Sequence, residues 1–323
     1  MTLPALFGTI IRMYTIREIA EKCNADSRYA GGVLCDEPLF ARTTMHVGGN
    51  AALLLEPSDE PSLLFALNVL RGNGVSHIVL GGGSNVIVSD AGYDGAVVCT
   101  RRLNDVSFAD GMLTCGAGAA WGSVLSVCRE HDAGGLECFS GLSGTVGGAV
   151  CMNASCFGLA ACDRLANVRF ITLADGTVST YTMTDEKRSG EWAYKSSPFQ
   201  NDCVVLSAQF SLARGFDAEK AAACVASRKE KGHFRAPSAG SVFKNDAANG
   251  IVAGKLIDEC GLKGLQVGGA RVADWHGNIL VNTGDATAQD VHDLVRLVQK
   301  IVRERKGIAL ACEIIFVGSF FVD

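Results

Sequence analysis

Apolar and polar residues alternate with two periods along this chain, and the switches between them mark its elements. From Met13-Tyr14-Thr15-Ile16-Arg17-Glu18 an amphipathic helix runs to about Cys23. A strand is predicted at Leu53–Glu56. Ser58 or Asp59 then caps a helix with Leu63, Leu64, Leu67 and Leu70 on one face, and Gly72 and Gly74 end it. The strand Ile78–Leu80 runs into Gly81-Gly82-Gly83, and the chain leaves as a further strand, Val86-Ile87-Val88. Short strands follow at Ala96–Cys99 and Leu113–Cys115, and a helix at Trp121–His131 stops before Gly134-Gly135. Val168–Leu173, Thr177–Tyr181 and Val204–Leu212 read as antiparallel strands, with Asp175-Gly176 as a turn. The alanine-rich stretch Arg214–Arg228 is helical, and Asn249–Cys260 reads as a short helix closed by Gly261. A hairpin is expected around Gly277-Asn278. Thr287 caps the last helix with Asp290 as capping-box partner; Val291, Leu294, Val295, Val298, Ile301 and Val302 form its core face, and Gly307 ends it.

Composition narrows the class. The 323 residues suggest two or three domains, and 48% hydrophobic with 20% charged content supports a sizeable core. A net charge of −5 without a basic run argues against nucleic acid as a partner. None of the 13 cysteines stands in a Cys-x-x-Cys pair, so no metal site is expected, and reduced, mostly buried thiols of a cytoplasmic protein fit better than a disulfide framework. No apolar run reaches membrane-spanning length. Residues 1–12 are apolar but lack the basic start and small-residue cleavage site of a secretory signal; they are expected to be an over-extended start or a loose tail.

The most unusual stretch is Glu137 to Ala154, with four glycines between Gly141 and Gly148 and the hydroxyls of Ser143 and Thr145 among them. Glycines admit close backbone approach, and their N–H groups with short hydroxyls suit a diphosphate. The same residues also suit a turn that lets two core elements pack closely. A second cluster, Gly81-Gly82-Gly83-Ser84-Asn85, leaves a strand in the same manner, and two such loops favour a dinucleotide site. The Rossmann fingerprint is absent: Gly81–Val86 breaks its spacing, Gly116–Gly122 misses by one residue, and no nucleoside-triphosphate loop occurs. Loops that return to strands point to a different flavin fold.

Gly141-Leu-Ser-Gly-Thr-Val-Gly-Gly-Ala-Val-Cys-Met-Asn153-Ala resembles the flavin-diphosphate loop of the UDP-N-acetylenolpyruvoylglucosamine reductase (MurB) family. Three later motifs match the family in order and spacing: Tyr194-Lys195-Ser196-Ser197-Pro198-Phe199, Lys231 through Ser241 to Asn245, and Ala311-Cys312-Glu313-Ile314-Ile315. Thr43-Thr44-Met45-His46-Val47-Gly48-Gly49 matches the segment that opens the family's flavin domain.

The resemblance implies an α+β fold: a vanillyl-alcohol-oxidase-type FAD-binding domain of two subdomains, residues 13–100 and 101–213, and a C-terminal substrate domain, 214–323. It implies non-covalent FAD held by Gly81, Gly82, Gly83, Ser84, Asn85, Gly141, Ser143, Gly144, Thr145, Gly147, Gly148 and Asn153. NADPH is the implied co-substrate and a UDP-sugar the substrate, in peptidoglycan precursor synthesis. By motif position Ser241 protonates C2 of the enolpyruvyl group after hydride reaches C3, and Glu313 with a cation stabilises the intermediate. Tyr194, Lys231, Lys244 and Asn245 fall at substrate-binding positions. Lys195 stands where the family has arginine, and it keeps the charge but not the planar two-donor fork. Ser155 and Phe157 replace a usual glycine and tyrosine. The interval from Tyr194 to Ser241 leaves no room for the extra tyrosine-bearing loop of one branch. Two other readings explain the loops alone: an FAD-linked oxidase of the same fold, and a non-catalytic nucleotide-binding module.

Overall fold

The computed structural model describes residues 14–246 and 248–321; the expectation for residues 1–12 lies outside them. Helix α1 (Ile16–Ala25) starts at a capping box of Thr15 and Glu18, and α2 (Glu60–Gly72) is capped by Asp59. They cover one face of a four-stranded sheet ordered Gly31–Pro38, Asn50–Pro57, Tyr93–Cys99, His77–Leu80, in which the last three run parallel. Alternation divides its side chains. Leu53, Leu55, Ala96 and Val98 face α1 and α2, whereas Leu54, Val97 and Leu80 face the opposite side with Val88 and Val317. Both faces are covered, which is why Leu53-Leu54-Leu55 shows no polar alternation. The strand Val86–Val88 leaves this sheet and pairs in parallel with Ile315–Val317, from the far end of the chain.

The second sheet is antiparallel throughout: Val178–Thr182, Leu165–Thr172, Cys203–Ser211, Met112–Gly116, Val106–Ala109. The strand Val106–Ala109 was not anticipated. It folds onto Met112–Gly116 through Asp110-Gly111, both at positive φ (52° and 76°), the requirement of a two-residue hairpin turn. Helix α3 (Trp121–Glu130) and helix α4 (Val146–Cys151) share a core with this sheet, in which Trp121 stacks on Phe139 at 4.3 Å. Helix α4 corrects an expectation: the second glycine loop opens a short helix rather than returning to a strand. Val146, Ala149 and Val150 supply the reason, since they join the core shared with the second sheet.

After α5 (Asp185–Gly190) and α6 (Ala218–Glu230), the chain builds a third sheet ordered Ser238–Ser241, Ile279–Asn282, Ala270–Val272, Gln266–Val267. It shares a core with α7 (Ala253–Glu259) and α8 (Ala288–Lys306), and Met45, Val47 and Ile87 from the first part of the chain enter that core. The capping box of Thr287 and Asp290 is present, and Gly307 ends α8 in the left-handed conformation. No described helix is long and apolar enough to cross a membrane, and no group that could hold a metal occurs among the described residues. All 13 cysteines are free; burial pushes the thiols of Cys115 and Cys128 up to about 12, so these stay protonated.

Candidate active site

The two glycine loops touch. A Cβ on Gly82 would lie 2.5 Å from Cα of Gly144, one on Gly81 2.5 Å from Oγ1 of Thr145, and one on Gly144 2.6 Å from Oγ of Ser84. Gly83 and Gly144 also hold φ of +65° and +97°. The guanidinium of Arg101 fixes the first loop, donating to the carbonyls of Gly81 (3.1 Å), Gly82 (2.8 Å) and Arg42 (2.8 Å). The N–H groups of Gly82, Gly83, Ser84 and Asn85 donate to no other described residue. Between the loops, Oγ1 of Thr145 is buried without a hydrogen-bond partner. Such an orphan is costly unless a ligand satisfies it. Free N–H groups, the hydroxyls of Ser84 and Thr145, and glycines that leave no room for side chains fit the diphosphate of FAD. Ser143 and Gly148 are exposed on the second loop, as is Gly141, at φ +75° beside Arg228. Gly147 has another role: its N–H donates to Ala117 O at 2.8 Å, and a Cβ there would meet the Cβ of Ala117 at 2.8 Å. It lets α4 pack closely against that turn.

Ser241, Glu313 and Lys195 come from three separate segments. Ser241 follows Gly240, whose φ of +72° accompanies a register irregularity in the strand Ser238–Ser241. Buried Asn278 then holds both backbone groups of Phe243, accepting its N–H (2.9 Å) and donating to its carbonyl (2.8 Å). Alongside runs the C-terminal segment, through Glu313 N–H to Val242 O (2.7 Å) and Lys244 N–H to Ala311 O (2.8 Å). Glu313 is thereby paired with the residue after Ser241. Thr44 joins this strand to the first glycine loop, donating its N–H to Gly83 O (3.0 Å) and its hydroxyl to Ser238 O (2.7 Å). The ammonium of Lys195 lies 2.6 Å from the Glu313 carboxylate, with the two side chains 14% and 10% exposed.

Two residues expected at the cofactor engage their side chains elsewhere. The Asn85 amide donates to the carbonyl of Glu313 at 3.0 Å. Asn153 donates to Ala193 O (2.9 Å) and accepts from Cys162 N–H (3.2 Å). Asn245 accepts the N–H of Ala253, the first residue of α7, at 3.0 Å. Tyr194 is exposed, with the Lys195 ammonium 5.7 Å from its ring centroid. Lys231 and Arg228 lie over the exposed ring of Phe157 at 5.7 and 5.1 Å. Lys244 joins the site's frame through its backbone. Arg101 and Asn278 escaped the sequence reading. Arg101 follows a buried strand with no motif around it, and Asn278 read only as a turn residue.

Two glycine loops in contact, joined through Thr44 and Asn85 to the segments that carry Ser241 and Glu313, with Lys195 paired to that carboxylate, fit an FAD-binding oxidoreductase. Residues 51–182 match the FAD binding domain family, and residues 232–317 match the C-terminal domain of UDP-N-acetylenolpyruvoylglucosamine reductase. The UDP-N-acetylenolpyruvoylglucosamine reductase of Treponema denticola is 41% identical over 302 residues, covering 88% of this chain and 93% of the relative. That of Treponema pallidum is 36% identical over 328 residues, covering 87% and 92%. The crystal structure of the Thermus caldophilus enzyme superposes with a TM-score of 0.71 at 30% identity, covering 90% of this chain and all of that one. This chain belongs to the UDP-N-acetylenolpyruvoylglucosamine reductase family.

Proposed function

We propose that this protein reduces UDP-N-acetylglucosamine enolpyruvate to UDP-N-acetylmuramate with NADPH, through non-covalently bound FAD, in peptidoglycan precursor synthesis in the cytoplasm. The observation that carries the reading is the Lys195–Glu313 pair at 2.6 Å, on a segment bonded to the Ser241 strand and tethered by Asn85 to the first glycine loop. When bound, FAD supplies the two-electron transfer from NADPH to the enolpyruvyl double bond. The loops at 81–85 and 141–148 bind its diphosphate. Neither loop contains a histidine or cysteine, which supports non-covalent attachment.

Lys195 faces negative charge as it develops on the substrate carboxylate, and a preorganised cation binds that charge better than the ground state. Glu313 holds the ammonium in place and keeps the pair neutral before substrate arrives. Ser241 makes no side-chain hydrogen bond to another described residue, so its hydroxyl can deliver a proton to C2. Serine is a weak acid, so this role requires that its hydroxyl be polarised once substrate and cofactor are bound. Tyr194, Lys231, Lys244 and Asn245 are assigned to the substrate's nucleotide and diphosphate. Residues 13–100 and 101–213 are assigned to the two halves of the flavin site and 214–323 to the substrate. Purified protein should release its flavin on acid precipitation and sustain NADPH oxidation beyond reduction of its own flavin only when the enolpyruvyl sugar nucleotide is present. Sustained NADPH turnover indifferent to that substrate would sink the reading.

A further inference from the structure

We propose that Asn153 and Asn85 are positioning residues for the Lys195–Glu313 pair. This inference rests on the catalytic role given to that pair. Lys195 occupies the tip of a tight turn. Ala193 N–H donates to Ser196 O at 3.2 Å and Ser196 N–H returns the bond to Ala193 O at 3.1 Å. Between them Lys195 holds φ +55°, a conformation that glycine or asparagine normally supplies and that a long side chain adopts reluctantly.

Four contacts over-determine this turn. Asn153 donates to Ala193 O at 2.9 Å, Gln200 donates to Lys195 O at 2.9 Å, Ser197 donates to Cys151 O at 2.7 Å, and Phe199 is buried in the core that α3 and α4 share with the second sheet. Asn153 is itself fixed. It is 4% exposed, sits at φ +41°, and its side-chain oxygen is engaged by Cys162 N–H. It follows α4, so the element that begins at the flavin loop ends by aiming Lys195. Asn85 does the corresponding work at the first loop. Its amide donates to Glu313 O (3.0 Å), and its own carbonyl accepts Ile315 N–H (2.9 Å), which pins the backbone that leaves Glu313 at two points. The exit of each glycine segment is thus bolted to one member of the ion pair.

The test is a double-mutant cycle on the FAD-loaded enzyme. Asn153→Asp keeps the shape and the acceptor for Cys162 but turns an oxygen toward the Ala193 carbonyl. Flavin content and reduction by NADPH should stay unchanged, while reoxidation by the enolpyruvyl substrate slows about tenfold with little change in KM, the worth of one hydrogen bond. Hydrogen exchange over residues 193–200 should quicken. In a Lys195→Met background the same change should slow nothing further. Gln200→Ala, at an exposed position, should act in the same direction and lose its effect in the same background, and it decides the matter if Asn153→Asp folds poorly. Asn85→Asp should likewise lose its effect when Glu313 is glutamine. Equal slowing with and without Lys195, or loss of flavin from Asn153→Asp, would overturn the positioning role. A Lys195→Met enzyme as fast as wild type would remove the catalytic reading, and this inference with it.

Discussion

Replacing Lys195 by methionine keeps much of its stem and deletes the charge that faces Glu313. Breaking a fully buried ion pair costs about 3–5 kcal/mol, whereas exposed pairs are worth about 1 kcal/mol or less. With its side chains 14% and 10% exposed, this pair lies nearer the buried case, so Lys195→Met should lose about 2 kcal/mol of stability in urea or guanidinium titration. The catalytic loss should be larger. One preorganised electrostatic donor contributes about 10²–10³-fold, so flavin reoxidation by the enolpyruvyl substrate should slow by that factor while its reduction by NADPH does not. The two effects can be separated. Lys195→Met combined with Glu313→Gln should recover part of the lost stability, because no carboxylate is left unpaired, and none of the lost rate. Lys195→Arg should retain or raise activity, since a guanidinium can grip two oxygens in its plane. Unchanged reoxidation in Lys195→Met, or a double variant no more stable than the single, would refute the reasoning.

Gly82→Ala should force the glycine loops apart, because its Cβ falls 2.5 Å from backbone of Gly144 that has no flexible tip to yield. Overpacking of about 1–3 kcal/mol predicts roughly ten- to hundredfold weaker flavin binding with far-UV circular dichroism retained, and full flavin occupancy would argue against this loop. Stability should also depend on His233, whose pKa is lowered to about 4 by burial and by the nearby Arg228. The folded state then binds fewer protons than the unfolded one between its folded pKa and the ordinary value of 6.5, so stability falls as pH drops through that window. From pH 7 to pH 5 the loss is about 1 kcal/mol once screening of this half-buried ring is allowed for, and His233→Gln should reduce that slope, the rest coming from His276, whose pKa burial also lowers. A slope unchanged in the variant would mean that other groups cause it.

Local chemistry made the helix ends legible: Thr15 with Glu18, Asp59 before α2, and Thr287 with Asp290 and Gly307 all do what their residue types suggest. The Asp110-Gly111 hairpin carries an equally local signal in its turn residues. Helix α4 was not readable, because two glycines in six residues argue against a helix and only burial of Val146, Ala149 and Val150 reverses that. The pairing of Val86–Val88 with Ile315–Val317 joins distant segments by backbone bonds that leave no mark on composition. The site divides in the same way. Motif order singled out Ser241, Lys195 and Glu313 as candidates, but which side chains hold them is a matter of non-local hydrogen bonds. Nothing local told that the side chains of Asn153 and Asn85 bond to Ala193 and Glu313, Arg101 stood in no motif, and Asn278 read only as a turn residue.

The most direct test is anaerobic stopped-flow spectroscopy of wild type beside Ser241→Ala, following flavin absorbance. In wild type, NADPH should bleach the flavin and the enolpyruvyl sugar nucleotide should restore its colour. In Ser241→Ala, bleaching should proceed at the wild-type rate while restoration slows by about 10²–10⁴-fold, the contribution of a positioned acid. Colour that the substrate fails to restore in wild type, or both phases slowed equally in the variant, would contradict the account.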